Sequence, residues 1–307
     1  MKFDFSKRPE KKHGLAIFFI LLFALSTASN SAAIKYTTSE ISILSIIVWT
    51  YIVGAAAMLL WMFVLFPKQK GFEYLKTGQI KNQTIRSISR LVTLFLFFYA
   101  LKTLSIADAT LFLFTSSIFI PIIAYFWHRI GLHTRMWWGM IVAFIGIGVV
   151  LNPGKEIFQL SSLIALLSGI TSAIALLSLR FAHYEEPSDR TLFYNFIISG
   201  VIALIISLFS FETTWMSLTT TRVLWLLLIG GLGLLAQIFL TFAAKYAPMR
   251  FLSPFMYITV IFGMFLDWII WKNPPTLETY IGCLLIVIGN VLMLILYPKD
   301  DLQIRKP

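Results

Sequence analysis

Ten stretches of apolar residues, most of them joined by only a few polar ones, leave this chain almost no way to fold in water. They run over residues 14–34, 41–66, 84–105, 108–128, 136–152, 158–180, 190–211, 222–244, 251–271 and 277–297. A helix needs about 20 apolar residues to cross the hydrocarbon of a bilayer, and only helices or closed barrels satisfy their backbone there. The sequence therefore predicts an all-α polytopic membrane protein of ten transmembrane helices. Composition agrees, with 58% of the 307 residues hydrophobic and 13% charged, where soluble domains carry about a quarter charged. The connections leave no room for a separate soluble domain. The longest, residues 67–85, is basic and carries Gly71 and Gly78, which marks a surface loop.

A net charge of +11 raises the question of nucleic acid. The Lys and Arg side chains are dispersed between apolar runs rather than gathered on one face, so no nucleic-acid partner is expected. The partner is the lipid bilayer, and the charges report topology. With the N-terminus inside, 20 of the 25 basic residues fall on the inner side and only Lys35, Lys102, Lys155, Arg222 and Lys272 fall outside. Retention of Lys and Arg on the cytoplasmic side then predicts a multi-pass protein of the inner (plasma) membrane with both termini cytoplasmic. The single Cys283 sits in an apolar run and excludes an intrachain disulfide; it reads as a buried filler.

The first span has a second reading. Its basic head (Lys7, Arg8, Lys11, Lys12), apolar run and small-residue tract ALSTASNSAAIKY also describe a cleavable secretory signal. An internal repeat argues for retention. A shift of 143 residues pairs Lys102 with Lys245, Gly139 with Gly282 and Gly146 with Gly289; a shift of 145 pairs Lys35 with Arg180 and Trp49 with Tyr194. Each half then holds five spans, residues 1–152 and 153–307, and an odd number of spans makes the halves an inverted repeat. The repeat needs the first span.

FFYALKTLSIADAT (Phe97 to Thr110), AFIGIGVVLNPG (Ala143 to Gly154), GGLGLLAQIF (Gly230 to Phe239) and AAKYAPMRFLSPFMY (Ala243 to Tyr257) resemble the drug/metabolite transporter superfamily. Within it they resemble the EamA-type ten-span carriers, particularly the branch that includes S-adenosylmethionine uptake transporters. The resemblance implies two inverted five-helix halves, cytoplasmic termini and alternating access to a central cavity without ATP hydrolysis. The chain departs from many members at VWTYIVG (Val48 to Gly54), where an Arg is common, and at FWHRIG (Phe126 to Gly131) and IWKNPP (Ile270 to Pro275), where a Gly-Glu pair is common. Met256 stands where an Arg is often seen. Substrate identity does not carry over.

Enzymatic chemistry finds little support. The four histidines lie at expected span ends, no ligand cluster at metal spacing is present, and no phosphate-binding loop of the Gly-x4-Gly-Lys-Ser/Thr kind occurs. No cofactor is expected, and GGLG reads as close helix packing. A carrier's chemistry lies in polar groups inside spans, because an uncompensated one in hydrocarbon costs several kcal/mol. The amides Asn30, Asn195 and Gln237 are the strongest candidates for a substrate site, with the hydroxyls Ser26 and Ser116 beside them. The aromatic residues Trp49, Tyr99, Tyr194 and Tyr257 suit a ring or an organic cation. Pro121 and Pro254 mark kinks or tolerated bends. Asp267, near the end of the ninth span, reads either as a proton-coupling group or substrate counter-ion, or as an interfacial acid bonded to Lys272. No Lys or Arg is assigned within the hydrocarbon, which disfavours a strongly anionic substrate. The sequence thus predicts a secondary transporter of a small amphipathic metabolite, with amino acids and S-adenosylmethionine as examples. The alternative is a non-transporting assembly or lipid-handling scaffold.

Overall fold

The computed structural model describes residues 13–60, 75–128, 136–151, 160–183, 186–209, 219–246, 252 and 255–296. Every regular element among these residues is a helix. In chain order they are α1 (His13–Thr37), α2 (Ile43–Leu60), α3 (Ile80–Ala100), α4 (Ile106–Phe114), α5 (Ser116–His128) and α6 (Met136–Leu151). They continue as α7 (Leu160–His183), α8 (Ser188–Leu208), α9 (Thr220–Tyr246), α10 (Ile258–Trp271) and α11 (Leu277–Leu296). Six stretches are long and apolar enough to cross a bilayer: α1, α2, α4 with α5, α7, α8 and α9. Shorter apolar helices lie in α6, α10 and α11. Large apolar side chains such as Phe126, Trp138, Leu208 and Phe209 stand exposed, a surface suited to lipid rather than water. The chain is an all-helical, multi-pass membrane protein.

Two expected spans differ in form. The fourth is not one helix but α4 and α5, interrupted at Thr115, where Thr115 N–H bonds the carbonyl of Phe112 in a tightened turn and its hydroxyl donates to the same oxygen. The third begins earlier than expected, because the polar run from Ile80 to Arg90 is helical and packs one face inward. The helix ends at Ala100, and the chain turns at once into α4, capped by the Ser105 hydroxyl on Asp108 N–H.

Sequence shows why α1 belongs to the core. Ala16, Ile20, Ala24, Ala28 and Ala32 recur every four residues, all buried, so one side of the helix is nearly flat. A small-residue stripe of this kind lets backbones approach closely where the hydrophobic effect gives no drive. α1 uses it against α9 and α10.

The main packing joins the two halves of the chain to each other rather than neighbours within a half. α3 packs on α7 and α1 on α9; α2 on α9 and α3 on α8; α1 on α10 and α7 on α4 and α5; α2 packs on α8 and α6 on α11. Exchanging each span for the one five spans later leaves this set unchanged. The glycines repeat the exchange at atomic detail. A Cβ on Gly146 of α6 would lie 2.9 Å from the Gly282 carbonyl oxygen of α11, and one on Gly289 would lie 2.6 Å from that of Gly139. These are the four glycines related by the 143-residue shift. α2 and α8 do the same against side chains rather than backbone: Gly54 faces Phe196, and Gly200 faces Tyr51.

Candidate functional site

Two ends of the bundle can be named from α1, a near end where it begins and a far end where it finishes. At the far end Lys35 of α1 meets Asp267 of α10, Nζ to Oδ1 at 2.9 Å. The other carboxylate oxygen of Asp267 accepts from the first N–H groups of α4, Ile106 at 2.6 Å and Ala107 at 3.2 Å. A helix N-terminus leaves such donors unsatisfied and carries a partial positive charge, so it and the ammonium together hold the carboxylate from two sides. Asp267 is 2% exposed and Lys35 17%; the ammonium also lies 4.8 Å from the ring centre of Trp271. The expected Asp267–Lys272 contact is therefore corrected. Lys272 closes α10 in a left-handed conformation with its side chain exposed, while Asp267 reaches across to the first half. Beside it Asp108 takes the hydroxyls of Ser105 and Thr279.

Halfway along the bundle the interruption at Thr115 meets a second one. Tyr257 immediately precedes α10 and is the 143-residue counterpart of Phe114. Its hydroxyl donates to the Phe114 carbonyl oxygen at 2.7 Å, stands 2.9 Å from Ser117 Oγ and accepts from Asn290 Nδ2 at 3.1 Å. The carbonyl freed by the break in the first half is thus satisfied by a side chain at the break in the second. Ser116 is buried at this crossing.

The remaining expected residues divide. Asn30 is half-buried on α1 with Oδ1 unpartnered, facing Gly233 of α9 and Thr50 of α2. Thr27 on α1, Trp49 on α2 and Thr241 on α9 also carry unpartnered buried atoms. Gln237 is buried on α9 and Ser26 half-buried on α1, so α1, α2 and α9 gather Ser26, Asn30, Trp49 and Gln237. Asn195 is buried on α8. Two residues are placed elsewhere. Tyr99 is 45% exposed on the stripe of Ile88, Val92 and Phe95, an apolar stripe facing lipid, with Lys102 over its ring. Tyr194, near the start of α8, donates its hydroxyl to the Leu75 carbonyl oxygen at 2.6 Å and so ties α8 to the segment that leads into α3. Gly230 of the GGLG stretch packs against Val53, in keeping with a packing role. Side-chain positions of Pro121 and Pro254 lie outside the described residues, as do those of His13 and His183. Among the described residues no group of three His, Cys, Asp or Glu side chains could hold a metal.

Sequence reading missed Lys35 as the partner of Asp267, and Asn290, which lies beyond the quoted motifs. It placed Arg86 and Arg90 on the inner side without a role; both lie on α3, with Arg86 buried. The available signal was their four-residue spacing on a pattern, Gln83, Arg86, Ser87, Arg90, that keeps one helical face polar.

Comparison with known proteins places this architecture. The chain matches the EamA-like transporter family twice, over residues 14–152 and 159–295. It is 22% identical over 285 residues to the pseudopaline exporter of Pseudomonas aeruginosa, covering 91% of this chain and 95% of the relative. It is 22% identical over 297 residues to the S-adenosylmethionine uptake transporter of Rickettsia felis, covering 96% and 97%. A solved crystal structure superposes with a TM-score of 0.63 at 18% identity, over 94% of this chain and 98% of the other. Both halves match one family model and the fold matches end to end: the chain belongs to the EamA-like transporter family.

Proposed function

We propose that this protein is a secondary transporter that moves a small organic metabolite across the inner membrane by alternating access. Its ten spans form two inverted five-helix repeats, residues 1–152 and 153–307, with both termini cytoplasmic and the far end outside. The observation that carries this reading is the crossing of two interrupted spans, where Tyr257 of the second half satisfies the backbone of Phe114 in the first. Inverted-repeat carriers build substrate and ion sites around such breaks near the bilayer midplane.

The Lys35–Asp267 pair is the outer gate. It joins α1 and α4 of the first half to α10 of the second, so the halves cannot part at the far end while it holds. Opening separates the ammonium from the carboxylate and exposes both to water, and Asp267 is the coupling candidate. A role as counter-ion for a cationic substrate requires displacing Lys35. The substrate route runs past Asn30, Ser26, Trp49, Gln237, Asn195 and Ser116. The relatives named for S-adenosylmethionine uptake and pseudopaline export make amphipathic, nitrogen-containing metabolites the first compounds to try. The test is uptake and counterflow in proteoliposomes with a labelled panel of amino acids and S-adenosylmethionine, with and without a proton gradient. Saturable counterflow of at least one compound is expected. Its absence for every compound, in protein that is monodisperse and correctly inserted, favours the scaffold reading.

A further inference from the structure

α3 brings two arginines into the bundle that the route above leaves unused. Arg86 is buried, and its Nη1 donates to the Thr191 carbonyl oxygen of α8 at 2.8 Å. Arg90 follows one turn later, ten residues and about 15 Å from the start of α3. It is half-buried, and among the described residues neither guanidinium meets a carboxylate. The two cations instead lie within electrostatic reach of each other and of Tyr51 on α2. Tyr51 is fully buried, beside Ser199 of α8, and its hydroxyl is left without hydrogen-bond geometry to any partner.

α8 supplies the opposite wall. Gln83 and Arg86 contact Thr191, while Ser87 contacts Tyr194 and Ser199, so α3 and α8 run side by side in the same direction. Arg90 therefore lies level with the turn from Asn195 to Ser199. Asn195 is buried on the stripe of Thr191 and Ser199, with Oδ1 unpartnered. Two like charges in a low-dielectric site with no counter-ion are costly. Inside a membrane protein such charges mark a ligand path.

We propose that Arg90, with Tyr51 and Asn195, receives the carboxylate end of the transported molecule, an α-amino acid or a derivative with an N–H donor next to its carboxylate. The inference rests on the transport reading. Arg90 offers an open planar fork that matches a carboxylate with two parallel hydrogen bonds, and Tyr51 O–H adds a third donor. The Asn195 carbonyl oxygen needs a donor in return. A phosphate brings no N–H donor fixed beside its anionic oxygens, whereas an ammonium or amide N–H beside the carboxylate meets the Asn195 oxygen. Arg86, fixed to Thr191, is a positioning residue that raises the local positive potential.

Thermal unfolding of the purified full-length protein tests this, with α-amino acids each beside its primary amide, and inorganic phosphate as a further probe. At least one acid is expected to stabilise the protein with an apparent affinity about tenfold or more above that of its amide. In Arg90→Met that preference falls to about one while the unliganded midpoint stays at or above wild type, because an unpaired charge has gone. Arg90→Lys, a point charge without the fork, keeps only part of the preference. The proposal is overturned if no acid is preferred to its amide, if phosphate matches the best acid, or if Arg90→Met lowers the unliganded midpoint as a structural cation would. Acid-selective binding without movement across proteoliposomes removes the transport reading and leaves the subsite. Movement indifferent to the acid removes the subsite alone.

Discussion

Asp267 and Lys35 are not equivalent partners, and the difference predicts how each fails. Asp267 is buried against the start of α4, while Lys35 keeps some contact with the exterior and has a long stem that can carry its charge outward. Lys35→Met strands a buried carboxylate and is expected to cost about 3 kcal/mol, as breaking a buried pair from one side does. Asp267→Asn leaves an amide that still accepts from Ile106 and Ala107, and is expected to cost roughly 1 kcal/mol. Thermal melts in one detergent compare the two, and a larger loss for Asp267→Asn contradicts the arrangement. In transport the order is expected to reverse: if Asp267 couples protons, Asp267→Asn should abolish gradient-driven accumulation but preserve exchange, which needs no protonation cycle. Loss of exchange alone fits neither coupling nor a purely structural role. Two other polar residues separate by the same logic. Tyr257→Phe removes one of two hydroxyl donors on the Phe114 carbonyl, Ser117 being the other, together with an acceptor of Asn290, and is expected to lower stability by about 1 kcal/mol, whereas Asn30→Leu removes no bond made within the protein and is expected to reduce transport at near wild-type stability. Asp267 stood out in the sequence because a carboxylate inside an apolar run is rare. Its partner was not, since Lys35 lies 232 positions away and only the fold brings them together.

α6 and α11 give the helix-level test. Their axes approach until a methyl on Gly289 would sit 2.6 Å from backbone atoms of Gly139 and Ala143, so neither helix can yield without separating. Gly289→Ala is therefore expected to cost about 1–3 kcal/mol, the range for overpacking a filled interior. Gly148 on the same α6 faces open space, and Gly148→Ala is expected to be neutral or slightly stabilising. Equal effects of the two changes on the melting midpoint contradict the packing. Span positions and the glycine register were readable from sequence, because hydrophobic length and the 143-residue spacing survive divergence between the halves. The interruption at Thr115 was not: nothing in TLFLFTSSIF announces a break, and the turn is held by a hydroxyl bond and by Tyr257 from the other half. The early start of α3 was hidden for a related reason. Its polar face looks like a cytoplasmic linker until α7 and α8 are packed on it.

The two halves of the bundle interleave, joined at the far end by a charged pair and crossed at mid-depth by two broken spans. A shape of this kind has two ways to open, and alternating access requires that only one be used at a time. Asn30 lies on α1 between the crossing and the Lys35 gate, so a thiol there reports which side reaches the route. Asn30→Cys in a Cys283→Ala background should react with an impermeant maleimide in inside-out vesicles and be protected in intact cells. Adding Asp267→Asn, which releases the gate, should reverse that preference toward the outside. Cysteines at Lys155 and Lys76 fix the orientation in the same preparation, the first reacting only in intact cells and the second only in inverted vesicles. Labelling of Asn30→Cys from both sides at once, or a preference that ignores the state of Asp267, contradicts a two-state carrier gated by this pair.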